Sequence, residues 1–292
     1  MKQDLSKSDE NGAKTEAPQA GLKYPWLNEL NPDQRKAVTH GSGPLLIVAG
    51  AGSGKTRTLA YRVAYLIAEG VAPERILLLT FTRRAAEEML KRGAAIVQRG
   101  PAASGKVWGG TFHAIANRLL RVYSKPAGLD DSFTVMDESD AEDMINVIRH
   151  ELGLHGRDKR FPRKGTCRDI YSRRVNGSED LDEVLKRHFP WCAMWTKELK
   201  QLFQQYVSRK QQRNVMDYDD LLLYWSHLVA DDRLAEVIGG RFDHILVDEY
   251  QDTNRIQADI LLGMRKHNPN ITVVGDDAQS IYGFRAATVR NM

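Results

Sequence analysis

Ala49-Gly50-Ala51-Gly52-Ser53-Gly54-Lys55-Thr56 sets three glycines in front of a lysine and a hydroxyl. This spacing suits a phosphate cradle. The glycines let successive backbone N–H groups turn inward toward phosphate oxygens, and a helix starting at the end of the run adds partial positive charge. In such a loop the lysine reaches the β and γ phosphates and the threonine hydroxyl ligates magnesium. The strict pattern begins with glycine where this chain has Ala49, but the Gly54-Lys55-Thr56 core is intact. Nucleotide contacts are therefore expected from Ala49, Gly50, Ala51, Gly52, Ser53, Gly54, Lys55, Thr56 and the adjoining Arg57.

A second run supplies the complementary chemistry. Ile245-Leu246-Val247 is apolar and ends in Asp248-Glu249. Alone, two carboxylates after a strand are most often a solvated strand end. Beside a phosphate cradle they form a hydrolytic pair, with Asp248 helping to hold magnesium and Glu249 orienting or polarising a water. ATP and Mg2+ are the cofactors this combination calls for.

Positioning such groups requires strands that end where helices begin. The run 45–49 is continuously apolar and is followed by the loop and a helical pattern over 56–68, and it reads as a buried parallel strand. Strand-then-helix texture recurs at 76–80 with 83–97, at 107–111 with 114–122, and at 245–247 with 256–266, before a last strand at 271–275. Parallel crossovers each need a helix, so the expected fold class is α/β, a P-loop NTPase parallel sheet with helices on both faces. Between 123 and 216 the texture becomes helical and rich in Lys and Arg, apart from a short strand at 133–136. A mostly helical subdomain inserted into the α/β domain is the expected arrangement. The divisions are then 1–23 as a flexible tail, 24–122 and 217–292 as the two parts of the ATP-binding domain, and 123–216 as the insert.

Bulk composition excludes more than it selects. With 42% hydrophobic and 27% charged residues in 292, the chain is an ordinary globular protein long enough for about two domains. A net charge of +4 is too small to announce a nucleic-acid partner unless the cations cluster. Cys167 and Cys192 form no CxxC or Cys/His array, so no metal or disulfide framework is expected. No apolar run reaches the roughly 18–20 residues a membrane span needs, and a reducing cytoplasm is the expected compartment.

Longer motifs carry a family resemblance. Val247-Asp248-Glu249-Tyr250-Gln251-Asp252 and Gly275-Asp276-Asp277-Ala278-Gln279-Ser280-Ile281-Tyr282-Gly283-Phe284-Arg285 resemble the second and third motifs of UvrD/Rep-type superfamily 1 DNA helicases. Leu30-Asn31-Pro32-Asp33-Gln34, Thr80-Phe81-Thr82-Arg83-Arg84-Ala85-Ala86-Glu87-Glu88-Met89, Gly110-Thr111-Phe112-His113 and Asp217-Tyr218-Asp219-Asp220-Leu221 are similar to that family in the same order. The resemblance implies the N-terminal, first RecA-like portion of an ATP-dependent 3′ to 5′ helicase acting in repair, replication or recombination. It implies that Gln34 reads adenine and that Gln279 senses the γ-phosphate, joining Lys55, Asp248 and Glu249 as catalytic groups. It assigns Phe81, Tyr282 and Phe284 to stacking on single-stranded DNA, Thr111 and His113 to the DNA path, and Arg285 to DNA or a domain bridge. The family often has tryptophan where this chain has Phe284, and core packing is the alternative for Phe81.

The implied partners are single-stranded DNA, single-strand/duplex junctions and a second RecA-like domain, in cis or in trans, because the chain ends soon after the third motif. The alternative is a truncated nucleotide- and DNA-binding module without turnover. From 149 to 174, nine Lys or Arg face three acids, a local excess expected to meet duplex phosphates.

Overall fold

The computed structural model describes residues 23–50, 52–97, 106–155 and 161–276. After a short 3-10 turn at Pro25–Glu29, α1 (Pro32–Val38) starts at Asn31, whose side chain accepts from Gln34 N while Gln34 Oε1 accepts from Asn31 N. This reciprocal cap satisfies two backbone donors that a helix start otherwise leaves open. Then come β1 (Leu45–Val48), α2 (Lys55–Ala68), β2 (Ile76–Thr80), α3 (Arg83–Val97), β3 (Trp108–Thr111) and α4 (Phe112–Val122). Two residues of β4 (Thr134–Val135) lead to α5 (Glu138–Glu151), α6 (Lys164–Gly177), α7 (Leu181–His188), α8 (Thr196–Gln212) and β5 (Val215–Met216). The chain closes through α9 (Tyr218–Ala230), α10 (Asp232–Gly239), β6 (His244–Val247), α11 (Arg255–Met264) and β7 (Ile271–Gly275).

Five parallel strands pair in the order β1-β7-β6-β2-β3. Alternation sorts their side chains onto two faces. Ile76, Leu78, Leu246 and Val274 pack with Leu59, Val63 and Leu66 of α2 and Met89 of α3. Leu77, Leu79, Ile245 and Val247 meet Ile115 and Leu119 of α4, Trp225 of α9 and Ile260 of α11. Each such aliphatic side chain contributes about 1.5–3 kcal/mol when fully buried, so the sheet is held from both sides. This is the parallel α/β sheet that the strand–helix alternation predicts, and it is consistent with the RecA-like domain that the family resemblance implies.

Strand β1 departs from its expected burial. Among the described residues it is an edge strand, with Leu46 48% and Val48 60% exposed, rather than a strand covered on both faces. Apolar composition reports what a strand can bury, not where it sits in the sheet. A buried arginine fastens this edge to the rest: Arg62 of α2 donates to the carbonyls of Ala37, Val38 and His40 and to Thr272 Oγ1 of β7. Its guanidinium pKa is lowered to about 10 by burial.

A second apolar core lies outside the sheet. Ile145 and Ile148 of α5, Ile170 and Tyr171 of α6, Val184 and Leu185 of α7, and Leu199, Leu202 and Tyr206 of α8 enclose it. Cys167 and Cys192 are free thiols within it, and burial pushes Cys167 up to about 12, which leaves it an inert apolar filler. The short strand predicted at 133–136 is β4, which pairs in parallel with β5. Helix α6 also packs against α9 and α11, so the two cores share a wall.

Candidate functional site

The glycine-rich loop leaves β1 and enters α2 at the carboxyl edge of the sheet. Ala49 N donates to Gly275 O at 3.0 Å, tying the loop to the end of β7. Gly54 caps α2 with φ +86, a left-handed conformation open to glycine without strain. A Cβ there would lie 2.9 Å from Gln34 Nε2, so glycine also makes room for α1. Gln34 Nε2 donates to Ser53 O at 3.0 Å, and Ser53 Oγ donates to Gly50 O at 2.7 Å. The residue expected to read a base thus also braces the phosphate loop, with one end of its amide on the cap of α1 and the other on Ser53.

Lys55 is the first residue of α2 and is buried. Its Nζ lies 3.2 Å from Glu249 Oε2, although 194 residues separate the two. Glu249 follows β6 with φ 49 and ψ 47, and a non-glycine residue held there stores about 1–3 kcal/mol of backbone strain. Gln251 braces that geometry. Gln251 Nε2 donates to Glu249 Oε2 at 2.7 Å, and Gln251 Oε1 accepts from Asp276 N at 3.0 Å. Gln251 therefore stitches the end of β6 to the end of β7, a role its type did not announce.

Asp248 is 3% exposed, and its buried Oδ1 has no hydrogen-bond partner among the described residues. Burial first, and the adjacent Glu249 second, raise its pKa to about 6. An orphaned carboxylate oxygen beside a lysine costs on the order of 1–3 kcal/mol, a penalty that a cation removes. Among the described residues no three His, Cys, Asp or Glu side chains gather as a complete metal cage. The donor set instead suits an oxygen-loving cation that completes its shell with phosphate and water.

Arg57, expected among the nucleotide contacts, turns elsewhere. Its Nη2 donates to Glu29 O at 2.9 Å, and its guanidinium lies over the Tyr61 ring, while Tyr61 OH bonds Glu29 Oε2. Thr56 is partly buried in the first turn of α2, one residue after Lys55. Ala51, Gln279, Tyr282, Phe284 and Arg285 lie outside the described residues.

A cleft of about 890 Å³ opens between the sheet's carboxyl edge and α6. Phe81, Thr111 and His113 line it, so residues from two separate motifs meet at one cleft. Thr111 Oγ1 accepts from Ala114 N and so caps α4, and the His113 ring meets Tyr218 edge-on at 5.7 Å. Phe81 is partly exposed at this cleft, not in the core. Other lining residues were not foreseen: Ser172 and Asn176 of α6 line the cleft together with Asp219 and Asn254, to which they are hydrogen-bonded.

Part of the basic run at 149–174 is met by neighbouring side chains. Lys164 Nζ binds Asp143 Oδ1 at 2.5 Å, and Arg168 pairs with Glu138 and with Asp169. Arg149 donates to Asn146 Oδ1. The neutralising acids Glu138 and Asp143 belong to α5, just upstream of the window in which the excess was counted. Arg157, Lys159 and Arg160 lie outside the described residues.

Comparison with known proteins points to one family. The sequence profile of the UvrD/REP helicase N-terminal domain matches residues 30–292. The chain is 37% identical over 289 residues to the ATP-dependent DNA helicase UvrD1 of Mycobacterium leprae, covering 91% of this chain and 35% of that protein. It is 37% identical over 270 residues to the ATP-dependent DNA helicase PcrA of Bacillus subtilis, with 91% and 35% covered. It is also 37% identical over 275 residues to DNA helicase II of Haemophilus influenzae, with 91% and 36% covered. The chain thus spans about a third of the length of these relatives.

Proposed function

This chain belongs to the UvrD/REP helicase N-terminal domain family, and from that membership we propose that it is the ATP-binding part of an ATP-dependent DNA helicase. The motor would track single-stranded DNA from 3′ to 5′ in repair, replication or recombination. The observation that carries this reading is the meeting of Lys55 with Glu249 at 3.2 Å, beside the unpartnered oxygen of Asp248.

With no nucleotide bound, Glu249 neutralises Lys55. The β and γ phosphates of ATP compete for Lys55, and winning that competition frees Glu249 to orient a water for attack on the γ-phosphate. Gln251 keeps Glu249 in place once the lysine has turned away. Thr56 and Asp248 are the residues that would hold Mg2+, which supplies charge neutralisation on the phosphates. The oxygen of Asp248 and the raised pKa of its carboxyl both fit a group kept ready for a cation. Backbone N–H groups from Gly50 to Gly54 cradle the phosphates, and Gln34, already anchored to Ser53, turns its remaining amide capacity toward the base.

The same reading makes 24–122 and 217–292 the ATP-binding domain and 123–216 an inserted helical unit around its own core. Single-stranded DNA runs along the cleft past Phe81, Thr111 and His113, with single-strand/duplex junctions as substrates. Stacking on aromatic rings is worth roughly 1–3 kcal/mol per base and is indifferent to sequence, as a translocating motor requires. Rapid turnover needs a second RecA-like domain to present an arginine to the γ-phosphate, a contribution of order 10³ to 10⁵ in rate in related NTPases.

Calorimetric titration with ATP tests the reading. Binding that needs Mg2+ and is lost in Lys55→Ala is the expected result. Well-folded protein that takes up no ATP overturns it. ATPase assays with and without oligo-dT, on this chain alone and joined to a second RecA-like domain, then separate nucleotide binding from DNA-driven turnover.

A further inference from the structure

A chain of side-chain hydrogen bonds runs from the wall of the cleft to the turn that carries the hydrolytic carboxylates. Asn176 Nδ2, on α6, donates to Asp219 Oδ1 at 2.7 Å. Asn176 Oδ1 accepts from Asn254 Nδ2 at 3.0 Å. Ser172 Oγ also donates to Asp219 Oδ1, at 3.0 Å. All four residues line the cleft.

The direction of these bonds is set by chemistry. Asn254 Oδ1 accepts from Gln257 N at 3.0 Å as the cap of α11, so its Nδ2 is the end that faces Asn176. Asn176 must therefore present its oxygen to Asn254. Its Nδ2 then faces Ser172 O at 2.9 Å and Asp219. Neither amide can flip without setting donor against donor or acceptor against acceptor, so the chain has one stable polarity.

Asn254 in turn ends the segment that begins at Asp248. Asp252 N donates to Glu249 O and Thr253 N to Tyr250 O, so the turn from Glu249 to Asn254 is closed by its own backbone. Gln251 within it grips both Glu249 and Asp276. A rigid turn with a side chain at each end transmits displacement instead of absorbing it. Asn254 is buried, and a shift there reaches Glu249 within one turn of chain.

We propose that Asn176 is a positioning residue that couples occupancy of the cleft to the Asp248–Glu249 turn through Asn254. This rests on the reading of the cleft as a path for single-stranded DNA. A strand lying in the cleft meets Asp219, Ser172 and Asn176 directly, and pulls on or releases Asn254 through one amide. Coupling is reciprocal, so bound nucleotide alters affinity for the strand by the same factor.

The test measures ATP affinity of the full chain with and without saturating oligo-dT, and oligo-dT affinity with and without ATP. The wild-type chain is expected to show a mutual effect of at least about fivefold. Asn176→Ala should bring that factor close to one, and the factor is a ratio that does not depend on any uniform loss of oligo-dT affinity from the residue's own contact with the strand. Asn254→Asp is the second variant: aspartate caps a helix as well as asparagine does, so α11 is retained while the donor to Asn176 is lost. It should abolish the coupling equally, and the double variant should lose no more than either single one. A wild-type chain that binds both ligands with no mutual effect, or variants that keep the wild-type factor, overturn the relay and leave the proposed function standing. A wild-type chain that binds neither ligand overturns both.

Discussion

Two clusters in this molecule have nearly the same composition, a lysine between carboxylates, and opposite states of satisfaction. Lys210 of α8 has 3% side-chain exposure and lies 2.6 Å from both Asp217 and Asp220. Tyr206 OH donates to Asp217 Oδ2 at 2.8 Å, Lys210 Nζ donates to Tyr171 OH at 3.2 Å, and the ammonium sits over both tyrosine rings. Burial alone lowers a lysine's pKa, but here the two aspartates outweigh it and Lys210 is raised. Lys55, by contrast, meets Glu249 at 3.2 Å, that carboxylate is one-third exposed, and among the described residues the neighbouring Asp248 keeps an oxygen with no partner. The closed cluster has no capacity left for a ligand. The open one bears strain and an unmet hydrogen bond, which a folded chain retains where a ligand supplies what is missing.

Breaking the closed cluster should give the largest effect. Lys210→Met leaves two buried carboxylates facing each other, and we expect a loss of about 3–5 kcal/mol in urea unfolding. A loss below about 1 kcal/mol would mean that water reaches the site and the contrast is false.

Next in size is a pH effect at Asp219, which adjoins the closed cluster. Burial first and Asp217 second raise its pKa to about 7, against about 3.9 in an unfolded chain. Between those values the folded protein keeps a proton that the unfolded chain has released. This contribution is therefore full below about pH 4 and is lost as pH rises to about 7. Asp219→Asn should flatten the stability profile over that window by up to about 1.4 kcal/mol per pH unit, read from urea midpoints. An unchanged slope would show that Asp219 ionises freely.

The open cluster should respond in binding, not in folding. Lys55→Ala is expected to weaken ATP binding by at least about tenfold, or about 1.4 kcal/mol. The same change should move ligand-free stability by less than about 1 kcal/mol, since the pair it breaks is partly solvated. Stability lost without loss of ATP affinity would make the Lys55–Glu249 contact structural.

Smallest is Glu249→Gly, which removes the left-handed strain and should stabilise the ligand-free chain by about 1 kcal/mol while suppressing turnover. Destabilisation would mean that the carboxylate's bonds to Lys55 and Gln251 outweigh the strain.

Legibility divided along the same line. The phosphate loop, the Asp248–Glu249 pair and the strand–helix alternation could be read directly, because each is a short pattern whose chemistry depends on neighbours in sequence. Asn176 could not be read, since nothing near it marks an asparagine that meets Asp219 and Asn254 from 43 and 78 residues away. The basic run was only partly legible for a related reason. Its counter-charges sit on α5, a separate helix that folding lays alongside α6.

Sequence by itself determined the chemistry available at the carboxyl edge of the sheet: a phosphate loop, a lysine, a hydroxyl and two carboxylates. Backbone conformation and side-chain type within a few residues set those properties. Tertiary structure alone decided which charges are neutralised, which oxygen is left without a partner, and which strand lies at the edge. Those outcomes depend on distances between segments far apart in the chain, and only the packing of helices on the sheet sets them.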